Sequence, residues 1–247
     1  FTRDITERVS EYGVNVLVEK PMALTLKDAM SMIVKCKKEG VKLCYGETFR
    51  FFPTCRKAKE MIDEGLLGDL SLLMENYIGG LGPEHFQPTN IYPTGAPGSG
   101  GWGLTDHGIH LVDIFRWFTE SPVELVFGRG NRAGNPPSTE FLTMKFKNGA
   151  IGQLIYNEAT YPSDMPNEGI FSWGSYKAKG VPKWEPYPGN FRVHGTKGAL
   201  RIFPYPNKMF FIGEKGQEQI RVLDKPHPHH FGLQIESFAT RILSDEE

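Results

Sequence analysis

Three side chains in this sequence have types and settings suited to moving a proton: Lys20, Asp106 and His110. Lys20 lies in Glu19-Lys20-Pro21, directly after the β-branched run Val14-Asn15-Val16-Leu17-Val18. A short run of that kind reads as a buried strand, and ligands of open parallel sheets bind beyond the carboxyl ends of the strands. Proline disfavours helical geometry at the residue before it, so Lys20 is expected to stay extended at the sheet rim. An ammonium there can hydrogen-bond a substrate hydroxyl and favour its ionisation. The competing reading is a surface Glu–Lys pair ahead of a helix-starting proline.

Asp106 and His110 stand four apart on a segment that reads as a helix from about Asp106 to Phe118. Asp113 and Trp117 continue that face, so 106, 110, 113 and 117 form one polar stripe. Leu111, Ile114, Phe115 and Phe118 form a separate apolar stripe for a core. Imidazole is the side chain best matched to proton transfer near neutral pH. A carboxylate one turn away can orient it or hold a substrate hydroxyl. Against this stands a helix-start aspartate beside a half-buried structural histidine. Asp113 reads as structural.

Other candidates carry less chemistry. Gly98-Ser99-Gly100-Gly101-Trp102-Gly103 has the letters of a dinucleotide loop, but no apolar strand precedes it and no acidic residue follows at the right distance. It reads as a flexible loop. His227, His229 and His230 cluster between prolines without acidic or thiol partners, which is weak for a metal. No metal site is expected. Cys36, Cys44 and Cys55 fit neither a disulfide framework nor a zinc pattern and read as reduced thiols of a cytoplasmic protein.

The elements that must position these groups change in texture along the chain. A polar helix pattern over Ile5–Tyr12, the strand at Val14–Val18, a helix marked by Thr25, Asp28 and the row Leu26, Ala29, Met30, Ile33, and a strand at Val41, Leu43, Tyr45 make a parallel βαβ unit. Two strands cannot bury both faces of a sheet, so more of this unit is expected upstream. Beyond a helix at Pro53–Glu64 the pattern becomes hairpins. Leu70–Ile78 reads as a strand, and a Gly/Pro-rich loop follows over Gly79–Gly103. Strands Thr139–Lys147 and Ala150–Asn157 flank Asn148-Gly149. Strands at Phe191–His194 and Ala199–Phe203 flank Gly195-Thr196-Lys197-Gly198, and Lys208–Ile212 and Gln219–Leu223 add two more. Tyr161–Gly189 reads as a long surface loop. Phe231, Ile235, Phe238 and Ile242 put an apolar stripe on a last helix. The fold class is α/β followed by α+β on an open, mostly antiparallel sheet.

Composition excludes several classes of partner. Lys+Arg is 28 and Asp+Glu 29 in 247 residues, and the even balance argues against nucleic acid or an anionic membrane. No apolar run nears the ~20 residues that span a bilayer. The chain starts at Phe1 without a signal pattern and reads as the interior of a longer protein.

Four motifs in order resemble the Gfo/Idh/MocA oxidoreductases. Val16-Leu17-Val18-Glu19-Lys20-Pro21 is similar to that family's Glu-Lys-Pro motif. The stretch from Gly100-Gly101-Trp102-Gly103 to Asp106-His107-Gly108-Ile109-His110-Leu111-Val112-Asp113 is similar to its Gly-Gly and Asp-x-Gly-x-His-x-x-Asp hallmark. Phe49-Arg50-Phe51 with Pro53 resembles its Arg-Phe-x-Pro segment, and Val193–Leu200 its Gly-Thr-x-Gly turn. The resemblance implies the C-terminal part of a Rossmann domain over 1–48 and a substrate and dimerisation domain over 49–247, cut short at its C-terminus. It implies NAD or NADP as cofactor and a sugar, cyclitol or related polyol as substrate. It also implies a homo-oligomer formed through the open sheet. Lys20 would lie between nicotinamide and substrate, Asp106 would hold a substrate hydroxyl, and His110 would exchange the carbinol proton. Glu19, Lys20, Pro21 and Trp102 would border the cofactor. The family's glycine-rich turn would precede Phe1 and its last helix and strand would follow Glu247, so this stretch alone is expected to bind dinucleotide poorly and turn over nothing. The competing functions are an NAD-dependent glycosidase of the same fold, without net redox, and a catalytically silent assembly member.

Overall fold

The computed structural model describes residues 2–78, 103–131, 139–157, 190–205, 207–221 and 229–244, apart from the side chains of Ile78, Asp106 and Arg221. The loops expected over Gly79–Gly103 and Tyr161–Gly189, with Trp102 and His227, lie outside the described residues, save Gly103 itself.

The first four elements form the expected βαβ unit. They are α1 (Thr2–Ser10), β1 (Val16–Glu19), α2 (Leu26–Lys38) and β2 (Leu43–Gly46). The two strands pair in parallel, Val16 opposite Leu43 through Glu19 opposite Gly46. Thr25 caps α2 by accepting the Asp28 N–H, and its hydroxyl donates to the Asp28 carboxylate at 2.8 Å. The buried side of α2 is Met32 and Cys36, whereas Leu26, Met30 and Ile33 are 86%, 55% and 44% exposed. A two-stranded sheet is narrower than the helices laid on it, so only one edge of α2 finds cover.

The rest of the described chain is built on an eight-stranded sheet. In chain order it adds α3 (Pro53–Asp63), β3 (Leu70–Ile78), α4 (Ile109–Thr119), β4 (Val123–Gly130), β5 (Glu140–Phe146), β6 (Ile151–Asn157), β7 (Phe191–Gly195), β8 (Ala199–Phe203), β9 (Lys208–Gly213), β10 (Gly216–Arg221) and α5 (His230–Leu243). The strand order is β10-β9-β8-β7-β3-β6-β5-β4. Every neighbouring pair is antiparallel except β3 with β6, which run parallel at the centre. Asn148-Gly149 turns β5 into β6, with Gly149 at φ +93° and its N–H on the Phe146 carbonyl.

Strand alternation sends Leu73, Leu154, Val193, Leu200 and Ile202 to one face, where they are buried. Helices α3 and α4 cover that face, and the apolar stripe of α4 (Leu111, Ile114, Phe115, Phe118) is at most 2% exposed. Helix α5 departs from its expected packing. Phe231 and Ile235 are 43% and 58% exposed, and its one buried residue is Gln234. It docks by its first turn, His230 stacking on Phe52 at 4.1 Å between centroids. Helical spacing tells which side is apolar, not what covers it. Among the described residues no helix is long and apolar enough to cross a membrane.

Candidate active site

The parallel register of the small sheet decides which side chains can meet. Because Glu19 lies opposite Gly46, the chain leaves both strands side by side, toward Lys20 on one and Glu47 on the other. Neighbouring strands run only about 4.8 Å apart. Gly46 permits the close approach: a Cβ there would lie 2.8 Å from the Val18 carbonyl oxygen. Both residues therefore stand at the carboxyl edge, where open sheets take ligands.

Glu47 reaches His110. The imidazole Nδ1 lies 2.6 Å from Glu47 Oε1, and the Phe49 backbone N–H donates to the same oxygen at 2.9 Å. Glu47 and His110 are both buried, at 4% and 7% exposure. The Phe49 ring lies flat on the imidazole, 4.3 Å between centroids and 3° between planes. Phe49 belongs to a 3₁₀ turn (Phe49–Phe51), whose next residue, Arg50, clasps Asp113 with two bonds of 2.6 and 2.7 Å and lies over Trp117. That pair binds the turn to α4 and gives Asp113 the structural role expected of it.

The start of the helix departs from the expected regular spacing. Residues Gly103–Gly108 form a π-helical turn, and regular α-helix begins only at Ile109. Wider turns of this kind gather at functional sites. Glu140 anchors this one by accepting the Leu104 N–H at 2.5 Å; burial holds its carboxyl above the usual range, with the Leu104 and Gly103 amides opposing. A Cβ on Gly103 would come within 2.4 Å of Tyr156, so only glycine lets the turn lie on β6. Asp106 is in this turn, and its side chain is outside the described residues.

A second histidine, His107, faces a second carboxylate. Its Nε2 lies 3.2 Å from Glu75 Oε1, and the Tyr156 hydroxyl donates to Glu75 Oε2 at 2.5 Å. The centroids of His107 and His110 are 6.0 Å apart. Tyr45, on β2, is pushed well above its ordinary range, first by burial and then by the charges of Glu47, Asp113 and Glu19. One phenol thus feels carboxylates from the end of β1, the end of β2 and α4.

Lys20 lines a surface cleft of about 390 Å³ with Thr2, Arg3, Glu19, Pro21, Ala23, Leu24 and Asp28. The Lys20 N–H donates to Glu19 Oε2 at 3.1 Å, and the Lys20–Pro21 peptide is cis. Cleft volumes of a few hundred Å³ suit a drug-sized ligand or one end of a larger one. Apolar Pro21, Ala23 and Leu24 share this cleft with cationic Arg3 and Lys20 and anionic Glu19 and Asp28. The geometry brings the strand ends bearing Lys20 and Glu47 together and joins Glu47 to His110. Glu47 was absent from the sequence reading, although the strand-end rule that picked Lys20 applies to it equally. Among the described residues no group of three or more His, Cys, Asp and Glu could hold a metal ion.

Comparison with known proteins follows the same division. A family model described as the NAD-binding Rossmann fold of an oxidoreductase family, GFO_IDH_MocA, matches residues 2–47. A model of the GFO/IDH/MocA C-terminal domain matches residues 55–201. The chain is 27% identical over 202 residues to 2,7-anhydro-N-acetylneuraminate hydratase of Mediterraneibacter gnavus, covering 79% of the chain and 46% of that protein. It is 29% identical over 180 residues to scyllo-inositol 2-dehydrogenase (NAD(+)) of Bacillus subtilis, covering 70% of the chain and 50% of that protein. The chain thus spans about half the length of these relatives. The crystal structure of aldose-aldose oxidoreductase from Caulobacter crescentus, complexed with glycerol, shares the fold at TM-score 0.76 and 22% identity, covering 100% of this chain and 67% of that one.

Proposed function

The chain belongs to the Gfo/Idh/MocA family, and from that premise we propose that the protein carrying it is an oxidoreductase of sugars, cyclitols or related polyols, using NAD or NADP. One observation carries the reading. The strand end bearing Lys20 stands beside the strand end bearing Glu47, and Glu47 holds the buried imidazole of His110. An alcohol oxidation needs a base for the O–H and an acceptor for the hydride, and no side chain can be the acceptor. The nicotinamide, when bound, supplies that acceptor.

In this reading His110 takes the carbinol proton. The Lys20 ammonium hydrogen-bonds the same oxygen and steadies its developing negative charge. Asp106 holds a neighbouring hydroxyl and so selects the carbon presented. Glu19, Lys20, Pro21 and Trp102 border the dinucleotide, as the cleft at the end of β1 allows for the first three. Residues 1–48 form the dinucleotide-binding side, and 49–247 the substrate side. A second copy covers the outer face and edge of the large sheet, where Leu125, Val126 and Phe127 are 56%, 60% and 50% exposed; sedimentation velocity of the protein checks this, and a monomer at all concentrations contradicts it.

Relatives named as hydratases favour a second reading, in which the same residues act without net redox. The two are separated by NADH absorbance. On mixing with NAD or NADP and a panel of polyols, reduced cofactor accumulates if the first reading holds. Product formation with no reduced cofactor transfers the site to the second.

A further inference from the structure

We propose that Glu47 is the positioning residue of His110: it fixes the imidazole as the Nδ1–H tautomer and so leaves Nε2 as the basic nitrogen. The assignment rests on the proposed role of His110 as base, and adds a residue that the expected Lys–Asp–His set does not contain.

The tautomer follows from what Oε1 already accepts. Oε1 of Glu47 accepts the Phe49 N–H, as a carboxylate oxygen does, and a carboxylate has no proton to give. The nitrogen 2.6 Å from it must then bring the proton of the bond. A histidine whose Nδ1–H is engaged presents its lone pair at Nε2, and the partner of one nitrogen decides what the other can do. The Phe49 ring, parallel to the imidazole at 4.3 Å, packs against the plane in which Nδ1 meets the carboxylate. Phe49 thus acts twice, holding the carboxylate with its backbone and the imidazole with its ring. When Nε2 accepts a proton, the imidazolium forms beside a carboxylate inside a buried site, where charge interactions are stronger than in water. Glu47 Oε2 is itself buried with no hydrogen-bond partner among the described residues, so the carboxylate has only Oε1 engaged.

The test is ¹⁵N NMR of the protein labelled at its histidine rings, recorded at alkaline pH, where imidazole is neutral. Seven histidines give seven ring systems, and loss of one in His110→Ala assigns it. The expected pattern for His110 is a protonated Nδ1 and an unprotonated Nε2. An Nε2–H or mixed pattern in the unmodified protein overturns the proposal without any variant. Glu47→Leu removes the acceptor and should shift the ring toward Nε2–H. Glu47→Gln keeps an oxygen for both donors and should retain Nδ1–H; it serves if the leucine variant does not fold. An unchanged His110 pattern in folded Glu47→Leu also overturns the assignment.

Turnover supplies the second readout. Glu47→Leu should lower kcat at least about tenfold, up to the 10²–10⁴-fold that a whole base contributes, with KM within about twofold. Glu47→Gln should lose less. Absence of redox turnover with every polyol, together with the Nδ1–H pattern, removes the oxidoreductase reading and leaves the tautomer assignment standing. Redox turnover together with an Nε2–H pattern removes the assignment alone.

Discussion

Two histidine–glutamate pairs lie side by side in this molecule, and they are built differently. In one, Glu75 comes from the central strand β3 and has both oxygens engaged, one by His107 and one by Tyr156. All three belong to the large sheet and the turn laid on it. In the other, Glu47 uses one oxygen for two donors, and the bond runs from the small sheet to α4. A carboxylate with every oxygen occupied inside one packed unit acts as an anchor. A carboxylate with spare capacity, joining two units at the carboxyl edge of the small sheet, is placed in the proposed reading to answer a change of charge. The chemical types are the same, and the surroundings assign the work.

His110→Ala is the sharpest test of that contrast. Turnover should fall roughly 10²–10⁴-fold, the usual weight of general acid–base catalysis, and loss of the buried partner of Glu47 should lower thermal stability as well. His107→Ala should lower stability while turnover falls far less. Equal turnover losses in the two variants would erase the distinction. Lys20→Ala should also lower turnover, and wild-type kinetics there would reduce Lys20 to a surface charge.

Next in size is the anchor itself. Glu75→Ala removes the acceptor that the His107 ring nitrogen and the Tyr156 hydroxyl share and should cost about 1–3 kcal/mol of unfolding free energy in denaturant titration. Tyr156→Phe removes one of those bonds and should cost about 1 kcal/mol. Gly103→Ala, which pushes a methyl into Tyr156, should cost about 1–3 kcal/mol by overpacking. A neutral Glu75→Ala would show that the saturated pair is not holding the turn.

The smallest effects lie at the margins. Asp113→Asn weakens the clasp on Arg50, whose side chain is 43% exposed, and water should limit the loss to about 1 kcal/mol. Glu140 gives a pH signature. Burial raises its carboxyl in the folded state, so folding favours the protonated form. Its contribution is present below the unfolded value near 4.5 and is lost as pH rises through the folded one. Glu140→Gln should therefore gain stability relative to wild type between those two pH values and hold that gain above them.

The legible parts of the molecule were those where one local rule suffices. Strand alternation and the Asn148-Gly149 turn marked the β5–β6 hairpin. The spacing of Leu111, Ile114, Phe115 and Phe118 marked the core side of α4, and Pro21 after a β-branched run marked the rim at Lys20. The π-helical turn was not legible, because over six residues its spacing looks like that of a helix start. It means that Asp106 and His110 are not one regular turn apart. Glu47 was overlooked because it sits beside no motif, and its role depends on a register that pairs residues 27 apart in sequence. Helix α5 shows the converse: its apolar stripe was plain, yet Phe231 and Ile235 lie largely in the open.

The bond between Glu47 and His110 is also one of the ties between the two sheets. A hinge that parted the sheets would have to break it or drag α4 along. In the proposed reading, such a motion would also release the imidazole from the carboxylate that orients it.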